Sequence, residues 1–199
     1  MKTIKQTYIN ELNIKKSEFI CRLIPSTNEK QAKEIIKQIS EEFKDATHNC
    51  TAYIVEEGEG YDDNGEPSGT AGRPMLNILK KNNLQNITAI VTRYFGGIKL
   101  GAGGLVRAYS KSVQNTLETA EIVEMEKYQT VQLIFSYTII KNVDNEIRNH
   151  NLRIIKKEYM EDVKYTIALL NVKLLESIKS KLQNQIQIIN LGEKFLEKQ

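Results

Sequence analysis

The chain has 199 residues, of which 40% are hydrophobic and 27% are charged, and its formal net charge is +3. This composition is typical of a folded globular protein and excludes global disorder, while the length allows one large or two small domains. No run of 18 uncharged apolar residues occurs, and the first residues lack the apolar segment of a signal peptide, so we expect a cytoplasmic protein with no membrane partner.

In the first 128 residues the hydrophobic period switches repeatedly between that of a strand and that of a helix. Asn28 and Gln31 have the spacing of a helix cap and its capping-box partner. The β-branched segment over 87–94 is predicted to be a central strand. The predicted elements are strands over 3–9 and 13–24 around a turn near 11–13, a helix over 29–43, a strand over 48–55, a polar loop over 56–72, a helix over 74–81, a strand over 87–94, a helix over 103–120 and a strand over 122–128.

The remaining residues predict the order βαββαβ. The predicted elements are a strand over 129–138, a helix over 140–150, strands over 152–160 and 163–170, a helix over 172–183 and a strand over 186–191. In the first of these strands apolar and polar residues alternate, which is typical of a sheet with one covered face. We therefore predict an α+β protein with two domains, residues 1–128 and 129–199, whose boundary near Tyr128 rests on topology because no glycine- or proline-rich linker is present.

Charge is distributed unevenly along the first domain. Between Pro67 and Leu117 the chain contains no Asp or Glu, whereas acidic residues crowd both flanks. This segment contains the basic residues Arg73, Lys80, Lys81, Arg93, Lys99, Arg107 and Lys111. Such a local imbalance predicts a surface that faces a phosphate-bearing or acidic partner.

The segment from Arg93 to Ser110 runs from a strand through a glycine turn into a helix. Glycines allow the backbone to approach a ligand closely, and the first free N–H groups of a helix attract anions. The candidate anion- or nucleic-acid-binding residues are Arg73, Arg93, Lys99, Gly101, Gly103, Gly104, Arg107 and Lys111. The alternative is that the glycines only permit tight packing of the helix on the sheet.

A second loop, over 62–74, combines turn-forming residues with small hydroxyl residues directly before a helix. Ser68 or Thr70 would meet a ligand oxygen, and Asp63 or Glu66 would hold a metal or act as a base if the ligand were a small phosphorylated molecule. The candidate supporting residues of this loop are Asp63, Glu66, Ser68, Gly69, Thr70 and Gly72. The acidic run does not match a calcium-binding loop, and we predict neither a metal site nor a cofactor.

Other signals of chemistry are weak. The glycine loop lacks the last glycine of GxGxxG, and no GxxxxGK[ST] occurs, which excludes the Rossmann and P-loop motifs. Cys21 and Cys50 are too few for a disulfide framework and are expected to be reduced and buried. His48 and Cys50 lie two residues apart on one strand face with Ala52 and Ile54, so we predict core packing there and no catalytic residue.

The two loops also carry a resemblance. The segments 62–74, 91–101 and 104–109 resemble the signature of the IMPACT/YigZ family, and the C-terminal βαββαβ part is similar to that of its bacterial members. The resemblance implies an N-terminal fold like the second domain of ribosomal protein S5, followed by a ferredoxin-like domain similar to domain V of elongation factor G. The resemblance also implies a precedent among eukaryotic relatives, which bind the activator of the general-control eIF2-alpha kinase and so restrain that kinase when amino acids are short.

Three functions follow from the residues and the resemblance together. The first is a translation-associated regulatory protein that contacts RNA or the ribosome through its basic, glycine-rich surface. The second is a binder of, or enzyme acting on, a small phosphorylated ligand held between the two glycine loops. The third is a regulator of translation under stress that binds an acidic protein partner. The sequence does not determine the oligomeric state.

Overall fold

The structure is a computed structural model that describes residues 1–198. Over these residues it is a mixed α/β protein with five α-helices, which confirms the mixed class that the sequence predicts. The chain forms two compact units: the first, unit 1, spans Met1–Glu124, and the second, unit 2, begins at Met125. Within the described residues no helix is long and apolar enough to cross a membrane.

Unit 1 is built around a five-stranded antiparallel sheet with the order β2-β3-β6-β4-β5, so that β6 is central as predicted. A short strand, β1, pairs instead with the first residues of β7. The elements are β1 (Lys2–Ile4), β2 (Tyr8–Ile14), β3 (Ser17–Pro25), α1 (Glu29–Glu42), β4 (His48–Val55), β5 (Gly58–Asp62), α2 (Gly72–Lys81), β6 (Ile87–Tyr94), α3 (Ala102–Glu118) and β7 (Ile122–Phe135).

Helices α2 and α3 supply the residues that bury one face of this sheet. The predicted apolar side of α3 is confirmed: Leu105, Ala108, Tyr109, Val113 and Leu117 are all buried in the core. From the sheet this core takes alternate residues of β3, β4 and β6, as expected because successive side chains of a strand point to opposite faces. The N-terminus of α1 is capped as predicted, because the side chain of Asn28 accepts a 2.8 Å hydrogen bond from the N–H of Gln31.

Unit 2 contains an antiparallel sheet with the order β10-β7-β9-β8. Its core joins alternate residues of β7 and β9, among them Val131, Leu133, Tyr165 and Ile167, to residues of both helices. After β7 and a short 3-10 helix over Tyr137–Ile139, the elements are α4 (Ile140–Asn149), β8 (Arg153–Tyr159), β9 (Val163–Leu169), α5 (Leu174–Lys181) and β10 (Gln187–Glu197). This matches the predicted order βαββαβ.

The first hairpin differs from the prediction. The predicted turn near 11–13 is wrong, because β2 continues to Ile14 and the turn consists of Lys15 and Lys16. Both lysines have positive φ, 47° and 66°, which is the backbone of a type I′ turn. Such turns usually contain Asn and Gly, so two lysines carried no turn signal.

Three other strands also differ in extent. The loop predicted over 56–72 contains β5, which was missed because two of its five residues are glycine. The prediction of two separate strands over 122–128 and 129–138 is wrong, since β7 is one strand from Ile122 to Phe135. Tyr128 and its neighbours favour strands and offer no turn residue there. Strand β10 extends to Glu197, beyond its predicted end.

Candidate anion-binding site

The candidate site lies at one end of the unit 1 sheet, on the face that packs against α2 and α3. Phe19 of β3, Arg93 of β6 and His48 of β4 stand directly opposite one another in the register of the three strands. Their side chains therefore form a row across the sheet. The same register puts Cys50 and Ala52 on that face beside Val91 and Ala89, which confirms the predicted inward direction of this part of β4.

A buried carboxylate from the second loop lies at this row. The side chain of Glu66 is only 3% exposed and forms an ion pair with the guanidinium of Arg93. Its Oε1 also accepts a 2.8 Å hydrogen bond from the hydroxyl of Tyr109, and its Oε2 lies 3.8 Å from Nε2 of His48. A buried charge of either sign is tolerated only when it is paired in this way. Glu66 and Arg93 thus balance each other inside the protein.

Cys50 and Tyr109 complete a buried polar cluster, which comprises His48, Cys50, Glu66, Arg93 and Tyr109. The sulfur of Cys50 lies 3.0 Å from the backbone oxygen of Asp63 and 3.3 Å from the hydroxyl of Tyr109. Burial raises the pKa of the Cys50 thiol to about 12 and raises the pKa of Tyr109 as well. Both groups are therefore neutral at physiological pH, and Cys50 is not a thiolate nucleophile.

The second loop is shaped by its own hydrogen bonds. The carboxylate of Asp63 accepts three backbone N–H groups, from Gly69, Ala71 and Gly72, at 2.7, 3.0 and 2.9 Å. Two of these donors lie at the start of α2, so Asp63 caps that helix from a distance in sequence. The hydroxyl of Thr70 donates to the oxygen of Pro67. Asp63 and Thr70 are thus engaged in holding the loop, and a direct role of either in binding stays a prediction.

The glycines serve two different purposes. A Cβ at Gly96 would lie 1.9 Å from the backbone oxygen of Lys16, and one at Gly72 would lie 2.8 Å from that of Asp62. Both positions therefore need glycine for packing inside the protein, as the alternative interpretation expected. Gly97 and Gly101 instead have φ values of +85° and +70° with open space around them, so their backbone conformation requires glycine.

A cavity of about 410 Å³ opens beside the cluster, within the range of about 300–1,000 Å³ that is usual for ligand pockets. Glu66, Arg93 and His48 contribute to its wall, together with Phe95 and Leu100. Lys99, Gly101 and Ala102 also line this cavity, which therefore includes the start of α3 and a lysine without an ion pair in the part of the chain that the structure describes. The first helical hydrogen bond of α3 runs from Leu105 to Gly101, and its N-terminus has no side-chain cap, so three N–H groups there stay free of helical partners.

Four of the five cations that were proposed as anion-binding residues carry an uncompensated charge. Within residues 1–198 they form no ion pair and are exposed, and we call them the basic group: Arg73, Lys99, Arg107 and Lys111. Arg107 lies one helical turn after Gly103, and a Cβ added at Gly103 would be 3.7 Å from Nη1 of Arg107. Lys80 differs, because it pairs with Glu59. Arg93 differs too: it is 5% exposed and already balanced by Glu66, so its direct contact with an anion stays a prediction.

Of the predicted site residues, the structure gathers four at the cavity: Glu66, Arg93, Lys99 and Gly101. The others do not line it, namely Asp63, Ser68, Gly69, Thr70, Gly72, Arg73, Gly103, Gly104, Arg107 and Lys111. Sequence reasoning did not include His48, Phe95 or Tyr109 in the site. Phe95 was detectable, because an aromatic residue next to two glycines in a basic loop is unusual. Within residues 1–198 no group of three or more His, Cys, Asp or Glu side chains is placed to hold a metal ion.

Comparison with known proteins identifies relatives of this chain. Residues 15–117 match the model of the Impact N-terminal domain, and so include every residue of the buried cluster and of the basic group. The chain is 43% identical over 166 residues to the IMPACT family member YvyE of Bacillus subtilis, covering 82% of this chain and 76% of that protein. It is 34% identical over 168 residues to the IMPACT family member YigZ of Escherichia coli, covering 82% of each.

Two further likenesses differ in extent. Protein IMPACT of Homo sapiens is 33% identical over 95 residues, which cover 44% of this chain and 29% of the human protein. A solved structure described as the crystal structure of an hypothetical protein is 29% identical, with a TM-score of 0.66 over 94% of this chain and 95% of that one. The likeness to the solved structure extends over both units, whereas the match to the human protein covers less than half of the chain.

Proposed function

The chain belongs to the IMPACT family, and on that premise we propose that it is a translation-associated binding protein that contacts RNA or the ribosome through unit 1. The observation that carries this proposal is the basic group: four exposed cations without ion pairs among the described residues, in a segment of the chain that has no Asp or Glu and that also contains the free N–H groups at the start of α3. Phosphate oxygens are the acceptors that such an arrangement favours.

The fold class of each unit also supports this proposal. We assign unit 2 to the ferredoxin-like class, because the strand order β10-β7-β9-β8 results when two βαβ segments interleave in one antiparallel sheet. We assign unit 1 to the class of the second domain of ribosomal protein S5, supported by its antiparallel sheet with α2 and α3 on one face. The resemblance found in the sequence relates these two classes to ribosomal protein S5 and elongation factor G, which are both parts of the translation machinery. A role on ribosomes would also place the protein in the cytoplasm.

RNA binding at low salt tests the proposal. Anisotropy of a fluorescein-labelled RNA is titrated with the full chain, and Arg107→Ala and Lys99→Ala are each expected to weaken binding with little dependence on sequence. Lys37→Ala is the matched control, since Lys37 is an exposed lysine on α1, distant in sequence from the basic group. Absence of binding to RNA and ribosomes at low salt would contradict the proposal. A partner protein that is recovered equally after nuclease treatment would favour the regulator with an acidic partner.

The cavity supports a second candidate, a small phosphorylated ligand. The start of α3 and Lys99 meet there beside apolar surface from Phe95 and Leu100, as in pockets that orient a ligand by a few polar groups. Thermal unfolding with a panel of phosphorylated metabolites tests it. A saturable rise in melting temperature that Lys99→Ala abolishes would favour this candidate over RNA.

A further inference from the structure

We infer that the cavity of unit 1 receives one unpaired nucleotide of a single-stranded RNA, with its base stacked on Phe95 and its phosphate beside Lys99 and the start of α3. This inference rests on the proposed function, since it specifies which form of RNA the same site accepts. It assigns a role to Phe95 and a new one to Arg93.

Phe95 is an exposed aromatic residue at the cavity. The residue is 45% exposed, lines the cavity and follows the central strand β6 directly. Its backbone is fixed, because its N–H donates a 3.0 Å hydrogen bond to Oγ1 of Thr47. An aromatic ring held in position at a basic surface is the usual platform on which proteins stack the bases of single strands.

Arg93 contacts the Phe95 ring. Its guanidinium carbon lies over the Phe95 ring, 5.5 Å from the centroid, and over the Phe19 ring, 5.3 Å from the centroid, both within cation–π distance. The ion pair with Glu66 holds the guanidinium in this position. Arg93 also lines the cavity, and within the described residues its buried Nε has no hydrogen-bond partner. The site thus holds a buried donor that the protein itself leaves unsatisfied.

The charges around the cavity suit a polyanion. Glu66 is the acidic residue in its wall, and Arg93 neutralises it, which leaves the charge of Lys99 and the free N–H groups of α3. Arg107 and Lys111 continue the positive charge along α3, where a strand leaving the cavity would meet them. A base inside a duplex is stacked and paired, so it cannot enter a recess, whereas a base in a single strand can turn into it.

The first test compares two RNAs and two variants. A fluorescein-labelled 12-nucleotide oligouridylate and a blunt RNA duplex of the same length are titrated with the full chain. Phe95→Ala is expected to weaken binding of the oligouridylate by about 5- to 150-fold, the effect of removing one stacked base, and to change duplex binding little. Ile98→Ala is the matched control, because Ile98 is 43% exposed on the same loop but does not line the cavity.

A second measurement reports stacking directly and does not depend on the alanine variant folding. The chain contains no tryptophan, so Phe95→Trp introduces a single indole at the site. Its fluorescence is expected to be quenched by oligouridylate, with affinity at least that of the wild type, and to be unchanged by inorganic polyphosphate, which has no bases. Ile98→Trp, which carries the same fluorophore outside the cavity, is expected to show no quenching.

The outcomes separate this inference from the function on which it rests. If the wild type binds no RNA at low salt, both are wrong. If it binds RNA but Phe95→Ala weakens oligouridylate and duplex equally, or not at all, the inference is wrong and the proposed function stands. Quenching of Phe95→Trp by polyphosphate as strongly as by oligouridylate would likewise overturn it. Quenching by an acidic peptide instead of RNA would assign the cavity to a protein partner.

Discussion

The hydroxyl of Tyr109 donates a 2.8 Å hydrogen bond to the carboxylate of Glu66, which also pairs with Arg93. The three residues come from α3, from the loop before α2 and from β6, so one buried carboxylate joins three parts of unit 1. This arrangement links the sheet end, the second loop and α3, and the cavity lies among these three parts.

Removal of this carboxylate is expected to be costly. Glu66→Gln leaves the charge of Arg93 buried without a counter-ion, which should lower the free energy of unfolding by about 3–5 kcal/mol in urea denaturation. Glu59→Gln is the matched control, because it breaks the half-exposed pair with Lys80 and should cost about 1 kcal/mol or less. Equal effects of the two substitutions would contradict the role of Glu66 as a buried counter-ion that links three parts of unit 1.

Substitution of the glycines between Arg93 and Ser110 by alanine should change stability in two ways, depending on whether the added Cβ meets backbone atoms or has room. Gly96→Ala places a Cβ against the backbone of Lys16 and should destabilise the protein by about 1–3 kcal/mol. Gly103→Ala meets only the flexible end of Arg107 at 3.7 Å and should be neutral or stabilising, by up to about 1 kcal/mol, because it removes a helical glycine. Thermal unfolding of both variants checks this, and a reversed order would refute the assignment.

The turn of the first hairpin stores strain that better turn residues should relieve. Lys15 and Lys16 both have positive φ, a conformation that Asn and Gly adopt more easily. The double substitution Lys15→Asn/Lys16→Gly should raise the free energy of unfolding by about 1–2 kcal/mol. Lys15→Ala/Lys16→Ala removes the same two charges and keeps the strain, so it should give no such gain.

The two buried thiols should make the protein sensitive to base. Burial raises the pKa of Cys21 and of Cys50 to about 12, whereas an exposed thiol titrates near about 8.5. Between these values the unfolded chain loses protons that the folded chain retains. The contribution of the two thiols to the free energy of unfolding is therefore fully present below about pH 8.5. It is lost as the pH rises towards 12, by up to about 1.4 kcal/mol per pH unit for each thiol.

Urea denaturation at several pH values checks this dependence. Other groups titrate in the same range, so the informative quantity is the difference between the wild type and Cys21→Ala/Cys50→Ala, whose stability should fall less steeply above about pH 8.5. Parallel pH dependences would show that the thiols do not contribute. In the native protein at about pH 8, neither thiol should react with a disulfide reagent, and both should react after denaturation.

Local signals explain which parts of the fold could be predicted from the sequence. The cap at Asn28, the apolar side of α3 and the central position of β6 each depend on residues close in the chain. The turn at Lys15 and Lys16 could not be predicted, because tertiary packing against Gly96 and strand pairing override the turn preferences of the residues themselves. Strand β5 escaped prediction for a similar reason, since its pairing with β4 outweighs its glycines.

The candidate site was predictable in charge but not in geometry. The acid-free segment indicated the basic group, whose members are exposed as a surface role requires. The pairing of Arg93 with Glu66, 27 residues apart, required the fold, because only the sheet register and the loop path bring them together. For the same reason the sequence did not indicate that Arg93 makes cation–π contacts with two aromatic rings.

The salt dependence of RNA binding tests the central claim most directly. The dissociation constant of a labelled single-stranded RNA is measured over a range of salt concentrations for the wild type, Lys99→Ala/Arg107→Ala/Lys111→Ala and a control triple variant, Lys30→Ala/Lys33→Ala/Lys37→Ala on α1, which changes the net charge equally. We predict that binding of the wild type and of the control variant weakens steeply with salt. For the first variant, the slope of log K against the logarithm of the salt concentration should be smaller by about 0.7 per removed phosphate contact. Equal slopes for the two triple variants, or no binding at low salt, would contradict it.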